Sequence, residues 1–411
     1  MTFKIAKLLL LAHFISSFFA GYIGHRHYWY SVAIGLTFAL FIFIIAVHKN
    51  SLRVSGFVAA YICFGVLGVL SWVWSIDPSA TTIHIIRLIP SVLIVVGGYL
   101  FITVLKNNTP FAVFHAYWLA AFISLIIGLV IYDYSAMPRT FLGTSSSGIG
   151  ILFPLAMISA YFLWSQSGNR LFVISIPMFL LPIAMTASVR GIFLITVLIV
   201  FFIAVMAISE LARIIKTAHL NVKRWTGLLS FLILFAAFVY MLSETPVAQR
   251  ALSFAASLQG EQVSTQSALT RVMLLEVGWS LVHETMVSSS ILIGNGINSS
   301  RMLYENAIGV YIYSHSNPIE IFLGLGALGL LLFYFPFFFL FWMLMGKYIK
   351  SRAVISLVSA SVVFSVVVFS GMTRIYYHND LLLLTLAAAM IGMKAITHQK
   401  HHGVGPKWQR V

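Results

Sequence analysis

The stretch YSHSNPIEIFLGLGALGLLLFYFPFFFLFWMLM, residues 313–345, passes from a polar segment into a long apolar run. Within the apolar part, residues 318–345, Glu320 is the one charged residue. A helix of roughly 20 apolar residues is long enough to cross the hydrocarbon core of a bilayer. The stretch therefore predicts a membrane-spanning helix, with His315 just before the point where that helix begins.

The composition of the whole chain extends this prediction. Of the 411 residues, 60% are hydrophobic and 9% are charged, and the mean hydropathy is +0.99. A soluble domain carries roughly a quarter charged residues, so these values predict an integral membrane protein. Cys63 is the single cysteine, which excludes a disulfide within one chain. No small-residue cleavage pattern follows the first apolar run, so we expect that run to be a helix and not a signal peptide.

The apolar runs predict an all-α polytopic helix bundle of about twelve transmembrane helices. We place the spans at residues 5–23, 31–48, 57–75, 83–105, 110–131, 147–165, 171–188, 191–210, 226–243, 318–345, 353–371 and 379–396. An even number of spans puts both termini on one side, which also holds seventeen of the 25 Lys and Arg residues. The positive-inside rule makes that side cytoplasmic. Most of the formal net charge of +15 is then explained by the membrane topology, and no nucleic-acid partner is expected.

One connection between the predicted spans is long, and it divides the chain into four regions. These are a transmembrane bundle of about nine spans at 1–243, a large outer loop at 244–317, C-terminal transmembrane helices at 318–396 and a basic cytoplasmic tail at 397–411. Residues 267–284 of the loop have a helical apolar pattern but are too polar to span, so we expect a helix that lies on the membrane or caps the bundle. Gly294 and Gly296 predict turns.

The eight remaining basic residues fall on the outer side, and all of them are arginines: Arg26, Arg87, Arg139, Arg190, Arg250, Arg271, Arg301 and Arg374. A guanidinium carries a fixed fork of donors that suits two-point binding of phosphate or carboxylate. The alternative is that these side chains are snorkelling interfacial anchors. Lysine snorkels as well, yet it is absent from this side, which favours binding for at least some of the eight.

Two of these arginines are the strongest candidates. Arg190 lies in ASVRG, residues 187–191, between two apolar runs, where an ionisable side chain costs up to about 3 kcal/mol and is a functional candidate by default. The alternative is an ordinary arginine in an outer turn. Arg271 lies near the start of the predicted outer helix. The alternative to a functional role is that its side chain lies on a solvated face of that helix.

Residues 317–320 follow the rules for a helix start. We predict Asn317 at the N-cap, Pro318 in the first turn and Glu320 reaching back to the cap. Both polar residues then support the helix start. Three glycines follow at a spacing that predicts close approach of another helix: Gly324, Gly326 and Gly329.

The helix-start rules leave His315 unexplained. It lies two residues before the expected cap, at the membrane boundary, where an incoming helix terminus directs its N–H donors at an anion. Histidine titrates near neutral pH, so it is suited to take a proton from a sugar hydroxyl. The alternative is an interfacial histidine without a chemical role.

The sequence lacks several common catalytic signatures. It contains no paired carboxylates at useful spacing, no Asp-x-Asp motif, no nucleotide-binding glycine loop and no metal-ligand cluster. We therefore expect neither a metal nor a cofactor. A base with arginines suits displacement of a leaving group that already carries negative charge.

The order of four motifs resembles that of the bacterial O-antigen ligase and polymerase superfamily. The motifs are TASVRG at 186–191, TR followed by LLE and G at 270–278, GNGINS at 294–299 and HSNPIEIFLGLGALG at 315–329. The resemblance implies a C-type glycosyltransferase-like fold of about twelve spans in the bacterial inner membrane. It also implies that the large outer loop is periplasmic.

The resemblance further implies an activity. An O-antigen ligase takes a glycan from undecaprenyl diphosphate on the periplasmic face and transfers it, without a metal, to a sugar of the lipid A core. The resemblance gives His315 the role of base toward the acceptor hydroxyl, and it gives Arg190 and Arg271 the role of holding the diphosphate. Asn317 and Glu320 are expected as supporting residues. Direct attack on the anomeric carbon predicts inversion.

Two alternatives to the ligase stay open. An O-antigen polymerase uses the same donor but extends a second lipid-linked repeat unit. We favour the ligase because the chain is moderately short, with one dominant outer loop that ends in the histidine motif. A flippase or permease for lipid-linked sugars needs an arginine-lined path through the bundle, whereas the predicted spans are almost uncharged.

Overall fold

The computed structural model describes residues 2–19, 35, 56–104, 109–131, 140–142, 144–186, scattered positions between 195 and 207, 266–351, 353–370 and 382–392. The predicted spans at 31–48 and 226–243 and the C-terminal tail lie outside these residues, apart from position 35. So does Arg190.

The described part of the chain is helical, apart from one short antiparallel pair of strands. The helices are α1 (Thr2–Phe18), α2 (Gly56–Leu70), α3 (Pro78–Val104), α4 (Thr109–Ile131), α5 (Ser146–Ser167), α6 (Arg170–Met178), α7 (Leu180–Met185), α8 (Gln266–Met286), α9 (Ser300–Ile308), α10 (Asn317–Ser351), α11 (Val354–Ser370) and α12 (Leu382–Gly392). The strands β1 (Thr140–Phe141) and β2 (Thr144–Ser145) pair just before α5. Short 3-10 turns follow α2 at Ser71–Trp74 and α8 at Ser289–Ile291.

Five of the described helical segments are long and apolar enough to cross a membrane: Gly56–Trp74, Pro78–Tyr99, Pro110–Ile131, Ile149–Ser167 and Asn317–Ser351. Each overlaps a span predicted from the sequence. The protein is therefore a helical membrane protein, as its composition predicts. Shorter apolar helices lie at four further predicted spans: Lys7–Phe18, Arg170–Met185, Val354–Val368 and Leu382–Gly392.

The main core is built from aromatic side chains that interlock between helices. The ring of Phe14 on α1 meets Tyr117 on α4 edge-on, with 4.9 Å between centroids, and Phe18 packs against Phe153 on α5. Outward-facing positions are apolar as well: Trp342 on α10 is 78% exposed. A helix that is apolar on its exposed face is stable in contact with acyl chains, where every backbone polar group must be satisfied within the protein.

Helix α10 is broken at Gly326, which has φ 64° and ψ −163°. A loop from the segment before α9 fills the break. The N–H groups of Asn295 and Gly296 donate to the carbonyls of Leu323 and Gly324, at 2.9 and 2.8 Å. On the other side of the break, the Leu328 N–H donates to the Leu292 carbonyl at 3.1 Å. The backbone groups freed by the break thus gain partners inside the protein.

The break corrects the prediction made for the spaced glycines. A loop, and not another helix, approaches the backbone at Gly324 and Gly326. A Cβ atom at Gly326 would overlap with the carbonyl group of Leu292, and one at Gly294 would overlap with the carbonyl group of Gly324. Gly294 and Gly296 both have positive φ, so the turns predicted at these positions are confirmed.

A second, smaller core joins α8, α9 and the first part of α10. Its buried side chains are Leu274, Leu281, Val282, Tyr304, Ile319, Phe322 and Leu323. The Tyr304 hydroxyl donates to the Leu274 carbonyl at 2.6 Å, which ties α9 to α8. The helix predicted at 267–284 is therefore confirmed, and its apolar side packs on the start of α10.

The connection between α2 and α3 docks on the loop before α9. The Ile297 N–H donates to the Ser71 hydroxyl at 3.0 Å, and the Thr81 hydroxyl donates to the Ile297 carbonyl at 2.7 Å. The Ile76 N–H donates to the Asn295 carbonyl at 3.1 Å. These bonds bring the first turns of α3 and α10 to one end of the bundle, which we call the α3/α10 end.

Candidate functional site

His315 lies at the α3/α10 end, in the short segment between α9 and α10. Its backbone has φ 60°, in the left-handed region that few residues other than glycine enter, although histidine enters it more often than most. The side chain is half-buried. Its ring packs on that of Tyr313, with 4.0 Å between centroids.

Glu320 fixes the segment that carries His315. Its carboxylate is 3% exposed and accepts two hydrogen bonds, from the Ser314 N–H at 2.7 Å and from the Ser300 hydroxyl at 2.6 Å. Ser300 begins α9, and Ser314 immediately precedes His315. One carboxylate therefore joins α9, α10 and the histidine segment. The sequence predicted that Glu320 reaches back to the cap at Asn317, whereas its carboxylate accepts from the Ser314 N–H, three residues before that position.

Two serines close a tight turn around His315. The Ser316 N–H donates to the Ser314 hydroxyl at 3.1 Å, and that hydroxyl donates to the Ser316 carbonyl at 3.0 Å. The same carbonyl accepts the first helical bond of α10, from the Glu320 N–H at 3.0 Å. Ser316 therefore occupies the N-cap position, and the prediction that placed Asn317 there was wrong by one residue.

Asn317 instead supports the helix from within. Its side-chain amide donates to the hydroxyl of Tyr334 at 2.9 Å, and both side chains are buried. Because Tyr334 lies beyond the break at Gly326, this bond links the two parts of α10. A helix start next to the candidate base is thereby held against the longer part of the helix.

A stack of aromatic and cationic side chains continues from His315. The guanidinium carbon of Arg301 lies 5.6 Å from the ring centroid of Tyr313 and 5.6 Å from that of Tyr311. Such distances are within the range of attractive cation–π contacts. Arg301 is thus separated from His315 by the ring of Tyr313.

Asp77, which caps the N-terminus of α3, connects the stack to the transmembrane bundle. Its carboxylate accepts from the Tyr311 hydroxyl at 2.7 Å, the Ser79 hydroxyl at 2.8 Å and the Ala80 N–H at 3.1 Å. Burial by itself raises the pKa of Asp77, but these hydrogen bonds and the charge of Arg301 outweigh it and hold the pKa below its ordinary value. Burial and the bond to Asp77 raise the pKa of Tyr311.

The structure brings three of the five predicted site residues together: His315, Asn317 and Glu320 lie at the start of α10. Position 271 lies on α8, one turn before Leu274, but its side chain is outside the described part of the chain. With Arg190 also outside it, the convergence of the two arginines on His315 stays a prediction.

Sequence reasoning missed Asp77, Tyr311 and Tyr313. One signal was present: Asp77-Pro78 is a helix-start pair of the same kind as Asn317-Pro318. The alternation of Tyr311, Tyr313 and His315 was a second signal, because residues two apart share one side of an extended segment.

Among the described residues, no group of three or more His, Cys, Asp or Glu side chains is arranged to hold a metal ion. No protein-family model matches the sequence, and no curated protein is significantly similar to it. The functional assignment therefore depends on the chemistry of the residues at the α3/α10 end and on the order of the sequence motifs.

Proposed function

We propose that this protein is an O-antigen ligase of the bacterial inner membrane. It transfers a glycan from undecaprenyl diphosphate to a sugar of the lipid A core, without a metal or cofactor, in lipopolysaccharide biosynthesis. The reaction takes place on the periplasmic face, and both termini are cytoplasmic. Its partners are the lipid-linked glycan, the lipid A core acceptor and the surrounding membrane lipids, with no nucleic acid.

The observation that carries the proposal is the placement of His315. The histidine occupies a turn held by Glu320 and two serines, half-buried, at the end of a bundle of apolar helices. A base at this position reaches substrates whose lipid chains stay in the bilayer and whose sugars extend into water. A rigid turn also keeps the imidazole oriented toward the acceptor, which reduces the entropy lost on reaching the transition state.

The chemical step requires one base and stabilisation of one leaving group. An imidazole nitrogen of His315 takes the proton of the acceptor hydroxyl as its oxygen attacks the anomeric carbon. The bond from that carbon to the diphosphate oxygen breaks, and the electron pair leaves on the diphosphate. The products are glycosylated lipid A core and undecaprenyl diphosphate, with inversion at the anomeric carbon. A positioned base contributes roughly 10²–10⁴-fold to the rate of such a step.

Arg190 and Arg271 are proposed to bind the diphosphate. Charge grows on the leaving oxygens as the glycosidic bond breaks, and a guanidinium fork stabilises it by two-point hydrogen bonds. By analogy with phosphoryl transfer, an arginine that contacts developing phosphate charge is worth about 10³-fold or more in rate. This role predicts that both arginines affect use of the donor more than use of the acceptor.

The experiment is transfer by the purified full-length protein in liposomes that contain glycan-loaded undecaprenyl diphosphate and lipid A core, in the presence of EDTA. We expect the wild type to transfer glycan and His315→Ala to lose transfer while its thermal unfolding is unchanged. His283→Ala is the matched control, because His283 is an exposed histidine on α8. Full transfer by His315→Ala would show that His315 is not the base.

A deletion strain separates the ligase from the polymerase alternative. Loss of a ligase leaves long glycan on the lipid carrier and unmodified lipid A core. Loss of a polymerase leaves lipid A core capped by one repeat unit. We expect the first phenotype, and the second would replace the ligase with the polymerase.

A further inference from the structure

Arg301 has no assigned role, although its guanidinium is unusually placed. The side chain is half-buried, and its Nε–H is buried without a hydrogen-bond partner among the described residues. Leaving a buried donor unpaired is destabilising, and more so when the group is charged. Such groups in native proteins require an explanation, and a role in binding is one.

The surroundings hold the guanidinium without using its donors. The rings of Tyr311 and Tyr313 each lie 5.6 Å from the guanidinium carbon, and a cation–π contact is made to the face of the aromatic ring. Because a cation–π contact supplies no hydrogen-bond acceptor of the ordinary lone-pair kind, the two rings leave the N–H donors of Arg301 able to bind a ligand.

Nearby acids compensate the charge of Arg301 only in part, since Asp77 attracts the guanidinium without forming an ion pair with it. The carboxylate of Asp77 is occupied by Tyr311, Ser79 and the Ala80 N–H, and that of Glu320 is occupied by Ser300 and Ser314. Glu305, one turn along α9, is exposed to solvent. Arg301 forms no ion pair within the described part of the chain. It also lies in the first turn of α9, where the helix dipole adds positive potential.

We propose that Arg301, in contact with the rings of Tyr311 and Tyr313, is a phosphate-binding residue beside the base His315, a role that rests on the proposed glycan transfer for the identity of the substrate. The Tyr313 ring contacts both side chains, so a phosphate on Arg301 lies one ring away from the imidazole. The phosphate belongs either to the diphosphate of the donor or to a phosphorylated sugar of the acceptor. Both sources present the same anion to the guanidinium.

The experiment measures binding and does not require turnover. Full-length protein in nanodiscs is titrated with undecaprenyl diphosphate and, separately, with phosphorylated and dephosphorylated lipid A core. We expect Arg301→Gln to weaken binding of at least one phosphorylated probe by about tenfold or more, because charge-assisted two-point hydrogen bonds are lost. Arg301→Lys keeps the charge but loses the fork, so it should give an intermediate loss. It also serves as the second variant if Arg301→Gln does not fold.

The matched control is Arg170→Gln, because Arg170 is an exposed arginine at the start of α6. Weakened binding of undecaprenyl diphosphate assigns the phosphate to the donor, and weakened binding of the phosphorylated core alone assigns it to the acceptor. Unchanged binding of both probes, even with a lowered melting temperature, overturns the proposal and leaves Arg301 a structural residue.

The binding measurement tests the phosphate site whether or not the protein transfers glycan. Loss of phosphate binding in Arg301→Gln, with no glycan transfer by the wild type, would retain the phosphate site and reject the ligase. Transfer by the wild type, with normal phosphate binding by both Arg301 variants, would retain the ligase and reject the site.

Discussion

Asn317 and Tyr334 are joined by a buried hydrogen bond of 2.9 Å that crosses the break in α10. Asn317 lies two residues after His315, whereas Tyr334 lies in the longer part of the helix. The bond therefore couples the orientation of the helix start, and of the turn that carries the candidate base, to the transmembrane bundle.

We predict that Tyr334→Phe destabilises the protein by about 1–3 kcal/mol, because it leaves the buried amide of Asn317 without this acceptor. Asn317→Ala should cost a similar amount, and the double variant should cost less than the two single changes together. Thermal unfolding in detergent measures all three variants. Strictly additive losses would show that the two side chains are not coupled.

We predict that Gly326→Ala severely impairs folding. The backbone at this position has φ 64°, and a Cβ would overlap with the carbonyl group of Leu292. A methyl group there forces the loop out of the break and removes the partners of the freed backbone groups. The expected readouts are a lower yield of folded protein and a lower melting temperature.

Gly346→Ala is the matched control for this prediction. Gly346 lies on the same helix, and a Cβ there meets no atom within 4 Å. Because alanine is favoured over glycine in a helix by about 1 kcal/mol, we expect Gly346→Ala to be neutral or slightly stabilising. Equal effects of the two substitutions would contradict the break at Gly326.

The sequence was sufficient to predict the long apolar helices of the described part and the helix at 266–286, but neither the short helix α9 nor the break in α10. Apolar runs and helix-start residues are local signals, so the start of α10 was predicted to within one residue, and the helix at 266–286 was predicted to within two residues at each end. A glycine in an apolar run is compatible both with close helix packing and with positive φ. Only the loop at residues 292–296, about 30 residues earlier in the chain, decides between them.

In the candidate site too, the residues of a local motif were predicted, whereas the residues that depend on long-range contacts were not. His315 and Glu320 were predicted because both belong to one short motif. The bond between Asp77 and Tyr311 joins residues 234 positions apart, and no local pattern specifies such a pairing. The special position of Arg301 could not be separated from that of the other outer arginines, because it depends on two rings that the fold brings within 5.6 Å of its guanidinium carbon.

We predict that Glu320 is a positioning residue for the transfer reaction. Glu320→Ala removes the acceptor of the Ser314 N–H and the Ser300 hydroxyl, so the turn around His315 loses its anchor. We expect kcat to fall at least about tenfold while KM for the donor changes less than about twofold, because misplacing a base affects the transition state more than substrate binding.

Glu320→Gln retains one carbonyl acceptor and should recover part of the lost kcat. Glu284→Gln, at an exposed position on α8, is the control and should behave as the wild type. A rise in KM for the donor without a change in kcat would assign Glu320 to substrate binding instead.

The hydrogen bonds that Asp77 accepts from the Ala80 N–H, Tyr311 and Ser79 predict that stability depends on pH in the acid range. The folded protein holds the pKa of Asp77 below its ordinary value, so the unfolded chain binds the proton more readily. The stabilisation is therefore fully present above about pH 4, the ordinary value for aspartate, and is lost as the pH falls through the lowered pKa.

Asp77→Asn keeps an acceptor for the Ala80 N–H but removes the charge, which isolates this effect. We expect the wild type to melt at a higher temperature than Asp77→Asn near neutral pH, and the difference to shrink below about pH 4. Glu305→Gln, which changes an exposed acid on α9, should show little such dependence. If the gap between wild type and Asp77→Asn stayed constant or widened on acidification, the carboxylate would not be the group that holds this end of the bundle together.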